Sequence, residues 1–312
     1  MRDFLSGGIC VIVSLVLVAI GVRFVSDVWI FATIQSLQLH LSLGCVAALL
    51  LALLFRRGLL PVLLLAASIS LIAHGVWLTQ NLTQPDEPPS ATGPTLRLMS
   101  FNVLMSNLEN GEAIRDSILA SGADVVNIME AEPLLPHLVA LSAVYPYRIG
   151  CGEMTRRCDL MMLSKLPLSG QRIVSLSDVF EERLMLAAVS FDGRPLHIAA
   201  IHTTKPYFDE FQSHELGNAA RVLNRLKGPL LVSGDFNASS LAPNIRQFLR
   251  WTGLRKAGWE PPTWPTELGW AGVPIDHVYV RPPLGIASLD RLPEALGSNH
   301  FGLMAEIRMP EN

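Results

Sequence analysis

Residues 229–237 read Pro-Leu-Leu-Val-Ser-Gly-Asp-Phe-Asn, an apolar run that stops at a glycine and opens onto an aspartate and an asparagine. Pro229 to Val232 has the length and pattern of a buried strand, and Gly234-Asp235-Phe236-Asn237 carries the residues of a turn at its end. An acid and an amide in that position lie where layered α/β domains bind ligands, on the rim formed by strand ends.

Other segments repeat the arrangement on either side. The run Leu96-Arg97-Leu98-Met99-Ser100-Phe101 alternates as a strand and ends at Asn102, and Asp124 to Met129 is a buried strand ending at Glu130. Leu184 to Phe191 and Leu196 to Ile201 predict a hairpin turning at Asp192-Gly193, with His202 at its far end. Leu160 to Leu163, Ile275 to Val280 and Leu303 to Ile307 predict further strands, with Asp276 and His300 at or beside two of them. Helical spacing marks Asn110 to Ser121, stopped by Gly122, and about Asp209 to Leu226. Taken singly, each polar residue reads as a turn cap. Seven together, Asn102, Glu130, His202, Asp235, Asn237, Asp276 and His300, include two histidines and three carboxylates and read as one shared site.

The series resembles the endonuclease/exonuclease/phosphatase superfamily with the DNase I-like fold. The resemblance is carried by Met99-Ser-Phe-Asn102-Val, Asp124-Val-Val-Asn-Ile-Met-Glu130, Leu163-Ser-Lys-Leu-Pro167, Ala200-Ile-His202, Ser233-Gly-Asp235-Phe-Asn237, Ile275-Asp276-His277 and Ser298-Asn-His300. These follow the family's order and span residues 97–307. The resemblance implies an α/β (α+β) domain, a four-layer α/β/β/α sandwich with two central mixed sheets. It also implies a Mg²⁺- or Mn²⁺-dependent hydrolase of phosphate esters. In that reading Glu130 is the main metal ligand and Asn102 assists at metal and phosphate. Asp235 orients or activates the attacking water, and Asn237 bonds the transition-state oxygens. His300 pairs with Asp276 and acts either as a base or as a phosphate-binding cation, while His202 contacts the phosphate or protonates the leaving group. A hard cation suits this oxygen-rich set because negative charge builds on the phosphate oxygens during attack. The chain departs from the family at two points. Asn299 stands where an aspartate is usual, which weakens any metal contact there, and Met129 stands where a glutamine usually precedes the metal-binding glutamate.

Arg183 has two readings, a bidentate phosphate clamp or a solvated arginine. His197, His214 and His277 read as structural or exposed. Trp251, Trp259, Trp264 and Trp270 fit either a substrate groove or interfacial lip, or ordinary packing.

Before this domain the composition changes. Residues 1–80 hold only Arg2, Asp3, Arg23, Asp27, Arg56 and Arg57 as charged side chains. Three apolar stretches, about Phe4 to Val22, Leu37 to Phe55 and Leu59 to Leu78, are each long enough to cross a hydrocarbon core of roughly 30 Å as helices. Arg56 and Arg57 lie in the turn between the second and third, so the positive-inside rule puts that turn in the cytoplasm and everything after Leu78 outside. His40 and His74 read as packed or interfacial rather than proton-handling groups. Residues 81–94, rich in Pro, Ser and Thr, read as a linker, and 95–312 as the catalytic domain. The expected placement is a bacterial cytoplasmic (inner) membrane, multi-pass, with a periplasmic catalytic domain.

Charge narrows the partners. The chain has 24 basic and 27 acidic residues, and the four arginines of the anchor are matched by Asp3, Asp27, Asp86 and Glu87 before Ala91. A domain that grips duplex nucleic acid by counterion release usually shows a basic surplus, and this one has none. Cys10 and Cys45 fall in apolar runs as packing residues. Cys151 and Cys158 share a polar loop, with a local disulfide and two free thiols both open; a disulfide requires an oxidising compartment. The expected substrate is therefore a phosphate or pyrophosphate, with a lipid-linked one favoured by location. The arrangement is similar to membrane-anchored family members implicated in glycopeptide resistance and in dephosphorylating undecaprenyl pyrophosphate. An extracytoplasmic nuclease and a catalytically weak sensor or binding module are the alternatives. No protein partner is deducible.

Overall fold

The computed structural model describes residues 1–83 and 93–309. The chain opens with helix α1 (Arg2–Gly21), a connector carrying the short helix α2 (Ala32–Ser36), then α3 (Gln38–Phe55) and α4 (Leu59–Gln80). Three of these are long and apolar enough to cross a membrane. Their contacts with one another are narrow: Cys10, Val13, Leu17 and Ile20 meet Cys45, Leu49 and Leu71. Val11, Leu15, Val18, Leu54 and Leu63 face outward and are exposed. The bundle thus leaves much of its apolar exterior uncovered, while backbone groups are satisfied inside each helix. Cys10 and Cys45 serve as small packing residues, as expected.

The first residues of the predicted linker lie against the catalytic core. Leu82 packs against the catalytic core, its carbonyl accepts from the Lys256 amide at 3.1 Å, and Thr83 bridges to Lys256. Residues 84–92 of that linker lie outside the described residues.

Among the described residues, twelve strands then build two sheets, with α5 (Gly111–Ala120), α6 (Leu138–Ser142), α7 (Phe211–Leu223) and α8 (Pro243–Thr252) outside them. The first sheet takes β1 (Thr95–Asn102), β2 (Val125–Met129), β3 (Tyr147–Gly150) and β4 (Leu160–Ser164). The second takes β5 (Ser169–Val174), β6 (Leu184–Phe191), β7 (Arg194–His202), β8 (Leu230–Asp235), β9 (Arg255–Lys256) and β10 (Asp276–Arg281). The chain returns to the first sheet through β11 (Gly285–Arg291) and β12 (Leu303–Arg308). Strand orders are β11-β12-β1-β2-β4-β3 and β5-β6-β7-β8-β10-β9.

Each sheet centres on one parallel pair, β1 with β2 and β7 with β8, flanked by antiparallel neighbours. Central strands are covered on both faces, which is why they read as continuous apolar runs. Leu98, Val125 and Met162 meet Ile198, Leu231 and Val278 between the sheets. Phe101 and Ile128 pack outward on Ile114 and Ile118 of α5, and Val232 and Tyr279 pack on Leu216, Ile245 and Phe248 of α7 and α8. These three cores make the four layers α/β/β/α. Asn127 of β2 donates to Ser233 Oγ of β8 at 2.9 Å, a buried link between the sheets.

Candidate active site

Register brings the functional residues together. Along the parallel pairs, Asn102 lies opposite Met129 with Glu130 next, and His202 lies opposite Asp235. Asp276 begins an antiparallel strand and therefore pairs directly with Asp235. Ser298 Oγ donates to the Asn102 carbonyl at 2.7 Å and accepts from the His300 amide at 3.0 Å, which ties the last segment to the same rim. All seven strand-end residues meet at one end of the sandwich.

Asp235 is the hub and is 1% exposed. Asn102 Nδ2 donates to its Oδ2 at 3.0 Å and to Glu130 Oε1 at 3.3 Å, while the Asn102 Oδ1 accepts from the Leu104 amide. In this conformation Asn102 bridges two carboxylates through its N–H groups. The Asn237 amide donates to Asp235 Oδ1 at 2.7 Å, and Asn237 Nδ2 donates to the Thr203 carbonyl at 2.9 Å. The two imidazoles flank Asp235 Oδ2, His202 Nε2 at 3.7 Å and His300 Nε2 at 3.9 Å. Each holds a carboxylate with its other nitrogen: His202 Nδ1 with Asp159 at 3.1 Å, His300 Nδ1 with Asp276 at 2.8 Å.

The backbone is bent to permit this. Glu130 and Asn237 both have positive φ, 56° and 51°, a region side-chain-bearing residues seldom adopt and one often found at functional sites. Gly234 has φ 148°, and a Cβ there would meet the Ile201 carbonyl oxygen at 1.8 Å, so only glycine lets β8 lie this close to β7 before Asp235.

Electrostatics separate the groups. Burial, then the adjacent Asp276, push Asp235 above the ordinary carboxylate range, against the pull of His300 and His202. Burial opposes charge on His300, but Asp276 and Asp235 outweigh it and push the imidazole up to about 9. His300 is thus a cation at neutral pH.

A ligand atom from each of Asp235, Asp276 and His300 falls within 4.8 Å of the others, a spacing that could hold a metal ion. Asp276 Oδ1 and Asn299 Oδ1 are buried without a hydrogen-bond partner among the described residues. Unused hard oxygens beside the half-exposed Glu130 fit a magnesium- or manganese-like cation and not a thiophilic one.

The chain belongs to the endonuclease/exonuclease/phosphatase family. Its family profile matches residues 99–300, most of the chain and nearly all of the globular domain. The fold is shared with the human nocturnin catalytic domain, at 20% identity and a TM-score of 0.57, covering 71% of this chain and 99% of that one. Sphingomyelinase C from Streptomyces griseocarneus matches at 14% identity and a TM-score of 0.51, covering 68% and 99%. A beta toxin from Staphylococcus aureus with bound magnesium ions matches at 14% and 0.54, covering 67% and 98%. No curated protein sequence matches. By family, the chain is a hydrolase of phosphate ester bonds.

Arg183 sits beside the site and is paired. Its guanidinium holds Asp159 with two contacts, Nε at 2.9 Å and Nη2 at 3.0 Å, and lies over the Phe180 ring. Only 12% of its side chain is exposed, so it is not a solvated arginine, and its Nη1 edge is not used by Asp159. Asp159, the residue it holds, was not anticipated as part of the site. It immediately precedes β4, which runs antiparallel to β2, so the start of β4 reaches the same rim as the end of β2. Extending the strand-end rule to strand starts would have found it. Lys205, also unanticipated, had no such signal. His277 is structural, as expected, bonded to Glu260 at 2.7 Å and to the Ala238 carbonyl. Cys151 and Cys158 form a disulfide.

The cavity at the rim, about 270 Å³, is lined by Glu130, Asp235, Asn237, Asn299 and His300, with Lys205, Tyr207 and Trp264 at its mouth. Thr33, Ser36 and Leu37, from the connector between the first two long helices, also line it.

Proposed function

We propose that this chain is a membrane-anchored, divalent-metal-dependent phosphoesterase that hydrolyses a phosphate ester or pyrophosphate, with a lipid-linked substrate favoured, at the extracytoplasmic face of a bacterial cytoplasmic membrane. The observation that carries this is the wall of the catalytic cavity, where the membrane-helix connector lies beside Glu130 and His300. This neighbourhood supports a substrate that reaches those groups at the level of the helix ends.

Two further features support the placement. Arg56 pairs with Asp3 at the end of the bundle remote from the catalytic domain, so the arginine-rich turn and the active site are at opposite ends. The Cys151–Cys158 disulfide suits an oxidising compartment.

When bound, magnesium or manganese held by Glu130, with Asn102 and Asn299 beside it, would neutralise charge growing on the phosphate oxygens. The protein's own groups do the rest. Asp235, with its raised affinity for protons and its two flanking imidazoles, orients the attacking water and takes its proton. His300, kept cationic by Asp276, supplies positive charge to the non-bridging oxygens, and Asn237 donates a hydrogen bond to them. His202, held by Asp159 and directed at Asp235 Oδ2, serves the leaving group.

The test is a substrate panel: purified full-length protein with Mg²⁺ or Mn²⁺ against a polyprenyl pyrophosphate, plasmid DNA and a chromogenic phosphodiester. Metal-dependent phosphate release from the first supports the reading. Cleavage of plasmid alone would replace it with the nuclease reading, and inactivity on all three with the binding-module reading.

A further inference from the structure

A second, mostly apolar groove adjoins the catalytic cavity. Leu39 and Leu43 of α3 form one side, Trp259 and Trp270 of the catalytic domain the other, and Ser36 and Val273 line both the groove and the catalytic cavity. The groove therefore runs from the site, past those two shared residues, to a helix whose composition suits a bilayer. Large apolar side chains along it are open: Trp259 is 73% exposed, Trp270 71% and Leu43 57%. Indoles at that level match the preference of tryptophan for the bilayer interface.

The junction is held rigidly. The Ser239 amide donates to Ser36 Oγ at 3.2 Å and Ser239 Oγ donates to the Ser36 carbonyl at 3.0 Å, two residues from Asn237. Arg246 reaches the Leu78 carbonyl at 2.9 Å and Arg23 the Leu241 carbonyl at 2.7 Å. Beneath the 238–241 loop, Glu260 is bonded to His277, Lys256 and Ser240 in a fully buried cluster. The anchor and the loop that carries Asn237 are thus one framework.

We propose that this groove receives the hydrocarbon tail of the substrate, so that a single-chain lipid phosphate or diphosphate is presented to Asp235 and His300 without leaving the membrane. The proposal rests on the phosphoesterase reading and deepens it by naming the tail as a recognition element. Burial of apolar area along Trp259, Trp270 and Leu43 supplies affinity that a tail-less phosphate lacks. Ser36 and Val273, which line both spaces, lie where tail and phosphate would meet.

The experiment uses the full chain in phosphatidylcholine nanodiscs with Mg²⁺, comparing kcat/KM for phosphate release from geranylgeranyl diphosphate and from isopentenyl diphosphate. The long-chain substrate is expected to be preferred. The double variant Trp259→Ala/Trp270→Ala should lower the long-to-short ratio about tenfold, chiefly through KM. Leu43→Trp, which narrows the groove from the membrane side, should lower it in the same direction. An unchanged ratio in both variants, or no chain-length preference in the unaltered protein, overturns the groove while leaving the phosphoesterase intact. Phosphate release that does not depend on Glu130, from either compound, would instead overturn the phosphoesterase reading and the groove with it.

Discussion

The two histidines flank Asp235 at nearly equal distance, yet the regions behind them are built differently. On the β7 side, His202 holds Asp159, and Asp159 is also gripped at both oxygens by Arg183. On the β10 side, His300 holds Asp276, whose second oxygen has no hydrogen-bond partner among the described residues. Asp159 therefore has two partners, and although burial opposes its ionisation, His202 and then Arg183 bring its carboxyl down to about 2. Asp276 is free to spend its field on His300 and on whatever binds beside it. One side is a clamp that fixes geometry; the other keeps a charge and an oxygen available for chemistry.

The comparison can be broken by substitution. Glu130→Ala and His300→Ala are each expected to lower metal-dependent turnover of a chromogenic phosphoester by about 100-fold or more, a typical loss for a group engaged in acid–base or charge stabilisation. Unchanged rates in both would sink the site. Asp276→Asn should cost more than Asp159→Asn, about 30-fold against about 5-fold, because removing Asp276 takes away the main support for the charge on His300. The sign follows from the raised value: His300 carries its charge below about 9 and loses it as pH rises through that point. Asp276→Asn should accordingly move the alkaline limb of the pH–rate profile to lower pH, and a limb that stays in place would show that His300 does not set it.

Arg183→Leu probes the clamp through stability. It leaves Asp159 buried with one cation fewer, a change expected to cost about 3 kcal/mol in a urea titration. A loss of turnover with no loss of stability would return Arg183 to the role of phosphate ligand. A smaller effect concerns acid. The Asp159 carboxyl is depressed from 3.8 to about 2, so its contribution is complete above the upper value and is lost as pH falls towards the lower one. The unaltered protein should lose stability across that window more steeply than Asp159→Asn, and parallel curves would deny the pairing its energetic role.

The parts of the fold that were legible and those that were not fall in a pattern. The strands anticipated from the residue order, β1, β2, β4, β6, β7, β8, β10 and β12, are the interior strands of the two sheets. Those not anticipated, β3, β5, β9 and β11, are the four edges. Interior strands are buried on both faces and announce themselves as apolar runs, whereas an edge strand such as Ser169–Val174 is half solvated and begins with four exposed residues. Helix α8 was overlooked for a different reason. Pro243 at its first turn, Ile245, Phe248 and Leu249 at helical spacing and Gly253 beyond its end are all readable, so its signal was present.

The residue order by itself determined that three apolar helices precede an α/β domain, that this domain carries the family's motifs, and that seven polar residues end its central strands. Those properties are local, because burial, period and turn chemistry are written within a few neighbouring positions. Only the tertiary structure decided that Arg183 is spent on Asp159, that Asp276 keeps an oxygen free, and that Thr33, Ser36 and Leu37 wall the catalytic cavity. Each of these depends on side chains separated by tens to hundreds of positions. Their meeting is set by strand register and layer packing, which no short window of sequence contains.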